Sequence, residues 1–423
     1  MKVEIINTGS ELLAGRVLNS HQQWLCGQLS QLGITVSRQV AVPDTGSDIK
    51  QAVADALAGA DLILTTGGLG PTSDDLTRDE IAGMLGRQLQ QDAKVLARID
   101  QFFSARGRPR PDRTSIQAMV PEGAEVLPNQ NGTAPGLWIK IDPNPFRQDN
   151  KPSHLVMLPG PPQELRPLFN AEVVPRLKQV FPDSTRAHSR VLRSTGIGES
   201  QVEELLLEPM RPTWERGMEI GFCSRPGEVD IWLRTHGSEA EGEMRAAELE
   251  IRARLKAAVY GTDLEELESV VVGLLSTLGR TVAVAESCTG GLLAHRLTNV
   301  PGASEVFRGG CVTYSNESKV RLLDVRRETL QTQGAVSALT AQEMAEGVRR
   351  AHDSHYGMGI TGIAGPSGGT AEKPVGTVFT ALATQNNVKA VQQMNPFDRE
   401  TFKWVTSQQA LNWLRRRLLK DGR

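Results

Sequence analysis

A serine followed closely by two glycines stands in the last third of the chain, in the segment 285–291, which reads AESCTGG. A strand that stops at such a turn can expose the Ser287 hydroxyl beside the backbone N–H donors of Thr289, Gly290 and Gly291. Ser287 is therefore a candidate nucleophile, and the turn around it is a candidate binding site. The alternative interpretation is that Ser287 caps the helix that follows.

A serine nucleophile needs a base, and the segment 312–319 (VTYSNESK) contains a candidate. Its pattern puts Tyr314 at the end of a strand and Lys319 about one turn into the next helix. A desolvated lysine can act as the general base toward a serine, and a phenol can relay a proton. The alternative is that Lys319 is an ordinary solvated helix residue. The local histidines suggest no partner for a Ser-His-Asp triad.

Two more features of the last third could bind an anion. The glycine-rich segment 359–369 contains Thr361 and Gly362, and its backbone amides suit a phosphate or an oxyanion. Arg399 could pair with a substrate phosphate.

The first 80 residues contain a second glycine-rich loop, at the end of the apolar segment 61–66. Closely spaced glycines let backbone amides approach a phosphate, and the N-terminus of a following helix adds partial positive charge. The glycines of this loop are Gly67, Gly68 and Gly70. Carboxylates of the kind that hold a hydrated divalent cation stand nearby, at Asp44, Asp74 and Asp75. The alternative is a tight turn with an Asp cap.

These loops require strands and helices to position them. Apolar segments at 3–6, 34–42 and 61–66 alternate with helical patterns, one of which runs from Leu18 to Leu32. Further strands near 137–139 and 155–158 extend the unit to about residue 170. This alternation predicts a parallel sheet with helices on both faces.

The pattern changes after residue 170. The segment 171–257 predicts a small α+β module with helices near 199–207 and 239–257. A helix whose apolar face includes Leu264 then begins a third domain. That domain has strands predicted at 281–285, 310–314, 356–361 and 376–383, with a helix at 289–298 and a last helix near the C-terminus.

Composition excludes several classes of function. The 47 Lys and Arg nearly balance the 49 Asp and Glu, so a nucleic acid partner is not expected. The apolar segments are too short to cross a bilayer, and the N-terminus lacks the features of a signal peptide. Four cysteines without a CxxC pair suggest reduced thiols. We therefore expect a cytoplasmic protein that does not bind membranes.

The motifs named so far resemble, in their order, those of the CinA family of competence/damage-inducible proteins. The resemblance rests on the segments 7–13, 66–75, 285–291, 313–316, 362–366 and 373–378. It implies an α/β architecture of three domains. These are a molybdopterin-binding-like, three-layer α/β/α domain at 1–170, a KH-like α+β domain at 171–257 and an α/β amidohydrolase domain at 258–423.

The resemblance also implies two activities. The C-terminal domain would convert nicotinamide mononucleotide to nicotinate mononucleotide and ammonia without a cofactor. The N-terminal domain would cleave the pyrophosphate of ADP-ribose with a divalent metal cation. We expect the protein to form a homodimer. Its expected ligands are these small nucleotides.

The resemblance assigns roles residue by residue. Ser287 matches the catalytic serine of the family, Tyr314 and Lys319 its supporting pair, and Arg399 its late arginine. Thr361 matches a loop position near the substrate. The acidic positions of molybdopterin-binding relatives are matched by Asp44 and Asp75, with Asp74 as a companion.

A function of another class stays open. The chain could instead be a nucleotide- or pterin-binding protein that acts in competence or recombination through contacts with partners. An intact nucleophile with its base argues against this alternative for the C-terminal half. The middle module lacks a GxxG loop flanked by basic residues, so we expect a structural or dimerising role for it rather than RNA binding.

Overall fold

The computed structural model describes residues 1–182, 187–237 and 239–422. The chain forms two compact units, one of Met1–Ser189 with His236–Ala240 and one of Arg190–Thr235 with Glu241–Arg423. Among the described residues, no helix has both the length and the apolar character that crossing a lipid bilayer requires.

The first unit alternates strands and helices. Its elements, in chain order, are β1 (Val3–Thr8), α1 (Ser10–Leu13), α2 (Ser20–Gln31), β2 (Val36–Val42), α3 (Gly46–Leu57), β3 (Leu62–Thr66), α4 (Thr77–Met84), β4 (Leu89–Gln91), α5 (Ala93–Ser104), β5 (Met119–Pro121), β6 (Glu125–Leu127), β7 (Gly136–Ile141), β8 (Ser153–Leu158), α6 (Pro162–Leu168) and α7 (Val174–Val180).

The main sheet of this unit has the strand order β2-β1-β3-β8-β7-β6. Strands β2, β1, β3 and β8 run parallel, but β7 is antiparallel to β8 and β6 is antiparallel to β7. The sheet is therefore mixed, and the prediction of a parallel sheet is wrong at this edge. The reason is that the loop at 142–152, between β7 and β8, is too short for the crossover that parallel strands need.

Apolar side chains cover both faces of this sheet. Along β1, Ile5 points to the cluster that contains Leu25 of α2, while Ile6 points to the cluster that contains Ile49 of α3. Because neighbouring strand residues face opposite sides, helices must cover both sides. This arrangement confirms the predicted three-layer α/β/α domain.

Two apolar residues lie outside the helices that we predicted for them. Leu18 is 85% exposed, because α2 begins at Ser20, where the side chain of Asn19 caps it by accepting from the Gln22 N–H. Leu264 is also exposed, ahead of the helix that begins at Leu267. The helical spacing of the leucines therefore predicted two helices that begin earlier in the chain than the observed ones.

The rest of the chain continues with a small module and a larger domain. Its elements are β9 (Ala187–Thr195), α8 (Glu199–Glu215), β10 (Glu219–Arg225), β11 (Glu228–His236), α9 (Ala240–Leu255), β12 (Val259–Thr262), α10 (Leu267–Thr277), β13 (Val282–Glu286), α11 (Leu292–Thr298), β14 (Phe307–Val312), α12 (Asn316–Leu323), α13 (Arg327–Thr332), α14 (Ala338–Ala351), β15 (Tyr356–Gly362), β16 (Thr377–Ala383), β17 (Val388–Met394) and α15 (Arg399–Asp421).

The small module is the predicted α+β module. Its sheet has the order β10-β11-β9-β12, and α8 and α9 pack on it through an apolar cluster that includes Leu206, Ile231 and Ile251. Strand β10, which the sequence did not indicate, pairs with β11 in an antiparallel hairpin.

The larger domain is built on a sheet with the order β14-β13-β15-β16-β17. Strand β13 is parallel to both of its neighbours, β14 and β15, whereas β16 and β17 are antiparallel. The carboxyl ends of β13, β14 and β15 therefore meet at one edge of the sheet, which is where open α/β sheets commonly bind ligands. The segments predicted to carry chemistry follow these three ends.

Candidate active site

Ser287 comes directly after β13, at the edge where the three parallel strands end. Its backbone N–H donates to the carbonyl of Ile360 in β15 (3.0 Å), and its side chain is almost fully buried. Helix α11 begins only after Gly291, because Gly290 and Gly291 adopt positive φ angles (63° and 97°). The helix predicted from residue 289 is thus shorter, and Ser287 does not cap it.

Lys319 lies beside this serine. Its side chain is 1% exposed, and its Nζ lies 3.1 Å from Ser287 Oγ. The same Nζ donates to the carbonyls of Thr313 (2.8 Å) and Tyr314 (3.4 Å). The side chain of Ser315 caps α12 and so fixes where this helix starts. Lys319 is therefore a buried partner of Ser287 and not a solvated helix residue.

Burial determines the protonation of this pair. It lowers the pKa of Lys319, because a charged ammonium loses its hydration there. A neutral amine is the form that can accept a proton. Burial also raises the pKa of the neighbouring Cys288 to about 12, so that this cysteine stays a thiol and does not compete as a nucleophile.

Glu286 organises the turn from inside the fold. This carboxylate is 1% exposed and accepts hydrogen bonds from the N–H groups of Gly291 (3.0 Å), Leu293 (3.1 Å) and Ala294 (2.8 Å). A negative charge at the N-terminus of α11 is favoured by the helix dipole. The amide of Gly291, which we expected to face the substrate, is thus already bound. The amide of Gly290 donates to the Ser287 carbonyl.

Tyr314 and Arg399 meet at the rim of the site. Nη2 of Arg399 donates to the Tyr314 hydroxyl (2.9 Å), and Nη1 donates to the carbonyl of Gly365 (2.9 Å). Tyr314 is 64% exposed and lies beyond the strand end where we predicted it, because β14 stops at Val312. The structure therefore brings these two predicted residues together on the solvent side.

The other predicted residues of this site lie behind it. Thr361 is buried at the end of β15, and its hydroxyl donates to the carbonyl of Ala335 (2.7 Å). Gly362 follows, packed against the backbone of Thr377. Thr289 is fully buried, and its hydroxyl has no hydrogen-bond partner among the described residues.

In the first unit, the predicted glycines form a tight loop after β3. Gly67 and Gly68 have φ angles of 95° and 67°, and a Cβ on Gly67 would lie 2.8 Å from the carbonyl oxygen of Thr8. A Cβ on Gly160, in the loop after β8, would lie 3.7 Å from the Gly67 Cα. The two glycine loops therefore lie side by side. A side chain on Gly70 would collide with Asp75.

Two of the three predicted metal ligands, Asp44 and Asp75, are hydrogen-bonded to the protein itself. Asp44 accepts from the Ser10 N–H (2.7 Å), and Asp75 accepts from the Thr72 N–H (2.8 Å). Asp74 is exposed. In the part of the chain that the structure describes, no group of three or more His, Cys, Asp or Glu side chains could hold a metal ion. Asp44, Asp74 and Asp75 thus do not belong to such a group.

Comparison with known proteins identifies the family. Three family models match consecutive parts of the chain: a probable molybdopterin binding domain (4–179), the damage-inducible protein CinA KH domain (189–261) and the CinA C-terminal domain (264–418). The competence-damage inducible protein of Caldicellulosiruptor bescii is 42% identical over 426 residues, which cover 99% of this chain and all of that protein. The chain belongs to the CinA family.

A second full-length relative supports the same family, and a crystal structure of a shorter protein is also similar. The competence-damage inducible protein of Moorella thermoacetica is 42% identical over 424 residues, 99% of each chain. The crystal structure of the competence/damage inducible protein CihA from Agrobacterium tumefaciens is 42% identical, covers 35% of this chain and 91% of its own, and has a TM-score of 0.34. The predicted resemblance to the CinA family is confirmed, as are its molybdopterin-binding-like and KH-like domains.

Sequence reasoning missed Glu286 in this CinA-family site. A glutamate at the end of an otherwise apolar strand is the signal that could have revealed it. An acidic residue buried just before a helix needs donors, and the first amides of that helix are the nearest ones.

We predict that Glu286→Gln destabilises the protein by about 1–3 kcal/mol, because a side-chain NH₂ group would face a buried backbone N–H that then lacks an acceptor. Urea unfolding of the full chain measures this. The matched control is Glu305→Gln, at an exposed position of the short 3-10 helix Ala303–Glu305, which should stay within about 0.5 kcal/mol of the wild type. Equal stability of the two variants would contradict the role assigned to the charge.

Proposed function

We propose that the C-terminal domain hydrolyses the carboxamide of nicotinamide mononucleotide to nicotinate mononucleotide and ammonia. The observation that carries the proposal is the distance of 3.1 Å between Lys319 Nζ and Ser287 Oγ at a buried site. The substrate comes from the resemblance to the CinA family. A binding protein has no need for a serine paired with a buried amine, which is costly to desolvate.

The contacts of Lys319 favour its use as a base. A neutral amine has two N–H bonds and one lone pair. The carbonyls of Thr313 and Tyr314 can accept the two N–H bonds, and the lone pair is then left for the O–H of Ser287. The direct contact between amine and hydroxyl leaves no space for a water molecule between them. We therefore favour attack by Ser287 itself over attack by a positioned water.

The proposed reaction has two steps. In the first, Lys319 takes the proton of Ser287 while Oγ bonds to the carboxamide carbon. The C–N bond then breaks, and the proton on Lys319 passes to the leaving ammonia. In the second, water attacks the serine ester, releases the carboxylate product and restores the Ser287 hydroxyl. Tyr314, held by Arg399, would assist proton transfer at the rim.

The first prediction from the proposed function concerns the nucleophile. Ser287→Ala should abolish ammonia release from nicotinamide mononucleotide, because no oxygen remains to form the ester. A coupled ammonia assay measures the rate. Ser276→Ala, on the exposed face of α10, is the control and should keep full activity. A Ser287→Ala protein that still releases ammonia at the wild-type rate would exclude the covalent route.

The second prediction concerns pH. Because burial lowers the pKa of Lys319, its neutral fraction grows as pH rises through that lowered value. The kcat/KM should therefore increase with pH and level off, with a midpoint below the ordinary lysine value of about 10.4. Lys319→Arg should be inactive across this range, because a guanidinium stays charged. A pH profile that is flat from 6 to 10 would contradict the assignment of the base.

We propose that the N-terminal domain cleaves ADP-ribose at its pyrophosphate. The adjacent glycine loops after β3 and β8 support phosphate binding there. The acidic residues do not form a group that would hold a cation by itself, so the divalent cation of this activity would need ligands from the substrate as well. A divalent cation commonly binds through substrate phosphates and one or two carboxylates, and such a cation could arrive with the pyrophosphate.

The third prediction separates the two activities. EDTA should stop cleavage of ADP-ribose and leave ammonia release from nicotinamide mononucleotide unchanged. Chromatography of the products measures the first activity, and the ammonia assay measures the second. If the pure protein forms neither set of products, the competing hypothesis of a nucleotide- or pterin-binding protein in competence or recombination would gain support.

A further inference from the structure

A cavity of about 700 Å³ lies in the second unit, next to the turn that carries Ser287. Its lining includes Arg225 and Glu228 from the β10–β11 hairpin, Leu292 at the start of α11, and Glu400, Lys403 and Trp404 from α15. Cavities of this size commonly hold small-molecule ligands. The middle module and the C-terminal domain thus form this space together.

Lys403 places a positive charge against the Ser287 turn. Its Nζ lies 3.7 Å from the position that a Cβ on Gly290 would take, so the ammonium lies close to a turn without a side chain. Within the described residues, no carboxylate forms an ion pair with Lys403. Of the two carboxylates that line the cavity, Glu228 pairs with Arg225 (3.4 Å), so Lys403 keeps a positive charge without a counter-ion, which favours an anionic ligand.

The start of α15 strengthens this preference. Lys403 follows Arg399 by four residues, which places both cations on one side of the first turns of the helix. The N-terminus of a helix adds partial positive charge. The terminal nitrogens of Arg399 already donate to Tyr314 and Gly365, whereas Lys403 is not engaged in this way. Lys403 is therefore better placed than Arg399 to receive a phosphate.

The cavity wall beside Lys403 is held in place. The guanidinium of Arg296 lies 4.3 Å from the centre of the Trp404 ring, and the same buried guanidinium donates to Glu268 (2.7 Å) and to the Ser407 hydroxyl (2.8 Å). These contacts fix Trp404 before any ligand binds. A wall that is already ordered lowers the entropic cost of binding.

We infer that Lys403 binds the phosphate of the nucleotide substrate and thereby determines the preference for the mononucleotide over its nucleoside. This inference rests on the proposed amide hydrolysis at Ser287. It assigns to Lys403 a role in specificity and none in the chemical step.

The experiment compares ammonia release from nicotinamide mononucleotide and from the nucleoside that lacks the phosphate. Lys403→Met should lower kcat/KM for the mononucleotide on the order of 10- to 100-fold and leave kcat/KM for the nucleoside unchanged, because only the phosphate loses a charged partner. Lys403→Arg should recover part of the loss. Lys420→Met, an exposed lysine near the end of the same helix, is the control and should behave as the wild type.

A second measurement does not depend on turnover. Calorimetric titration with nicotinamide mononucleotide compares Ser287→Ala with the double variant Ser287→Ala/Lys403→Met, and the double variant should bind on the order of 10-fold more weakly or worse. Equal affinity, or an equal loss of kcat/KM for both substrates, would overturn the inference. If the wild type releases no ammonia from either substrate, the proposed function fails, and the titration alone decides on Lys403.

Discussion

The amine of Lys319 is buried at the edge where three parallel strands end. The arrangement of the C-terminal site depends on this burial. A buried ammonium is costly, so the site must either supply a counter-charge or favour the neutral amine. Two backbone carbonyls and a serine hydroxyl surround Nζ. None of these carries a negative charge, so the surroundings favour the neutral form, which is the one that can accept a proton.

Glu286, one residue before Ser287, is a buried group of the opposite charge type, a carboxylate rather than an amine. Its charge is buried as well, but three backbone amides of the turn and of α11 stabilise it. Glu286 thus fixes the turn by accepting from its amides, while Lys319 contacts the side chain of Ser287. Because the amides of Gly290 and Gly291 are used within the protein, the turn holds its own shape, and an anion bound at this site would need a partner elsewhere.

The sequence allowed the fold and part of the site to be predicted, for reasons that differ between residues. Strands such as β1, β3 and β13 are short and apolar, and glycines follow β3 and β13, so local pattern was sufficient. Lys319 could be proposed because it stands one turn into a helix after a strand. Glu286 could not, since its role depends on amides that only the folded turn brings to it. The edge strand β17 was not predicted either, because it is partly exposed and its sequence lacks a clear apolar pattern.

The middle module contacts the C-terminal domain through polar side chains. Glu228 of the module is buried and accepts from Gln408 of α15 (2.8 Å), while Arg193 donates twice to Glu266, just before α10 (2.8 and 3.0 Å). Polar contacts of this kind favour one orientation of the module, because a shift would leave the buried Arg193 and Glu228 unpaired. The turn beside Glu228 also lines the cavity near Lys403. The module therefore forms part of the wall of this cavity. Under the proposed phosphate-binding role of Lys403, a KH-like fold would contribute to a nucleotide site without binding RNA.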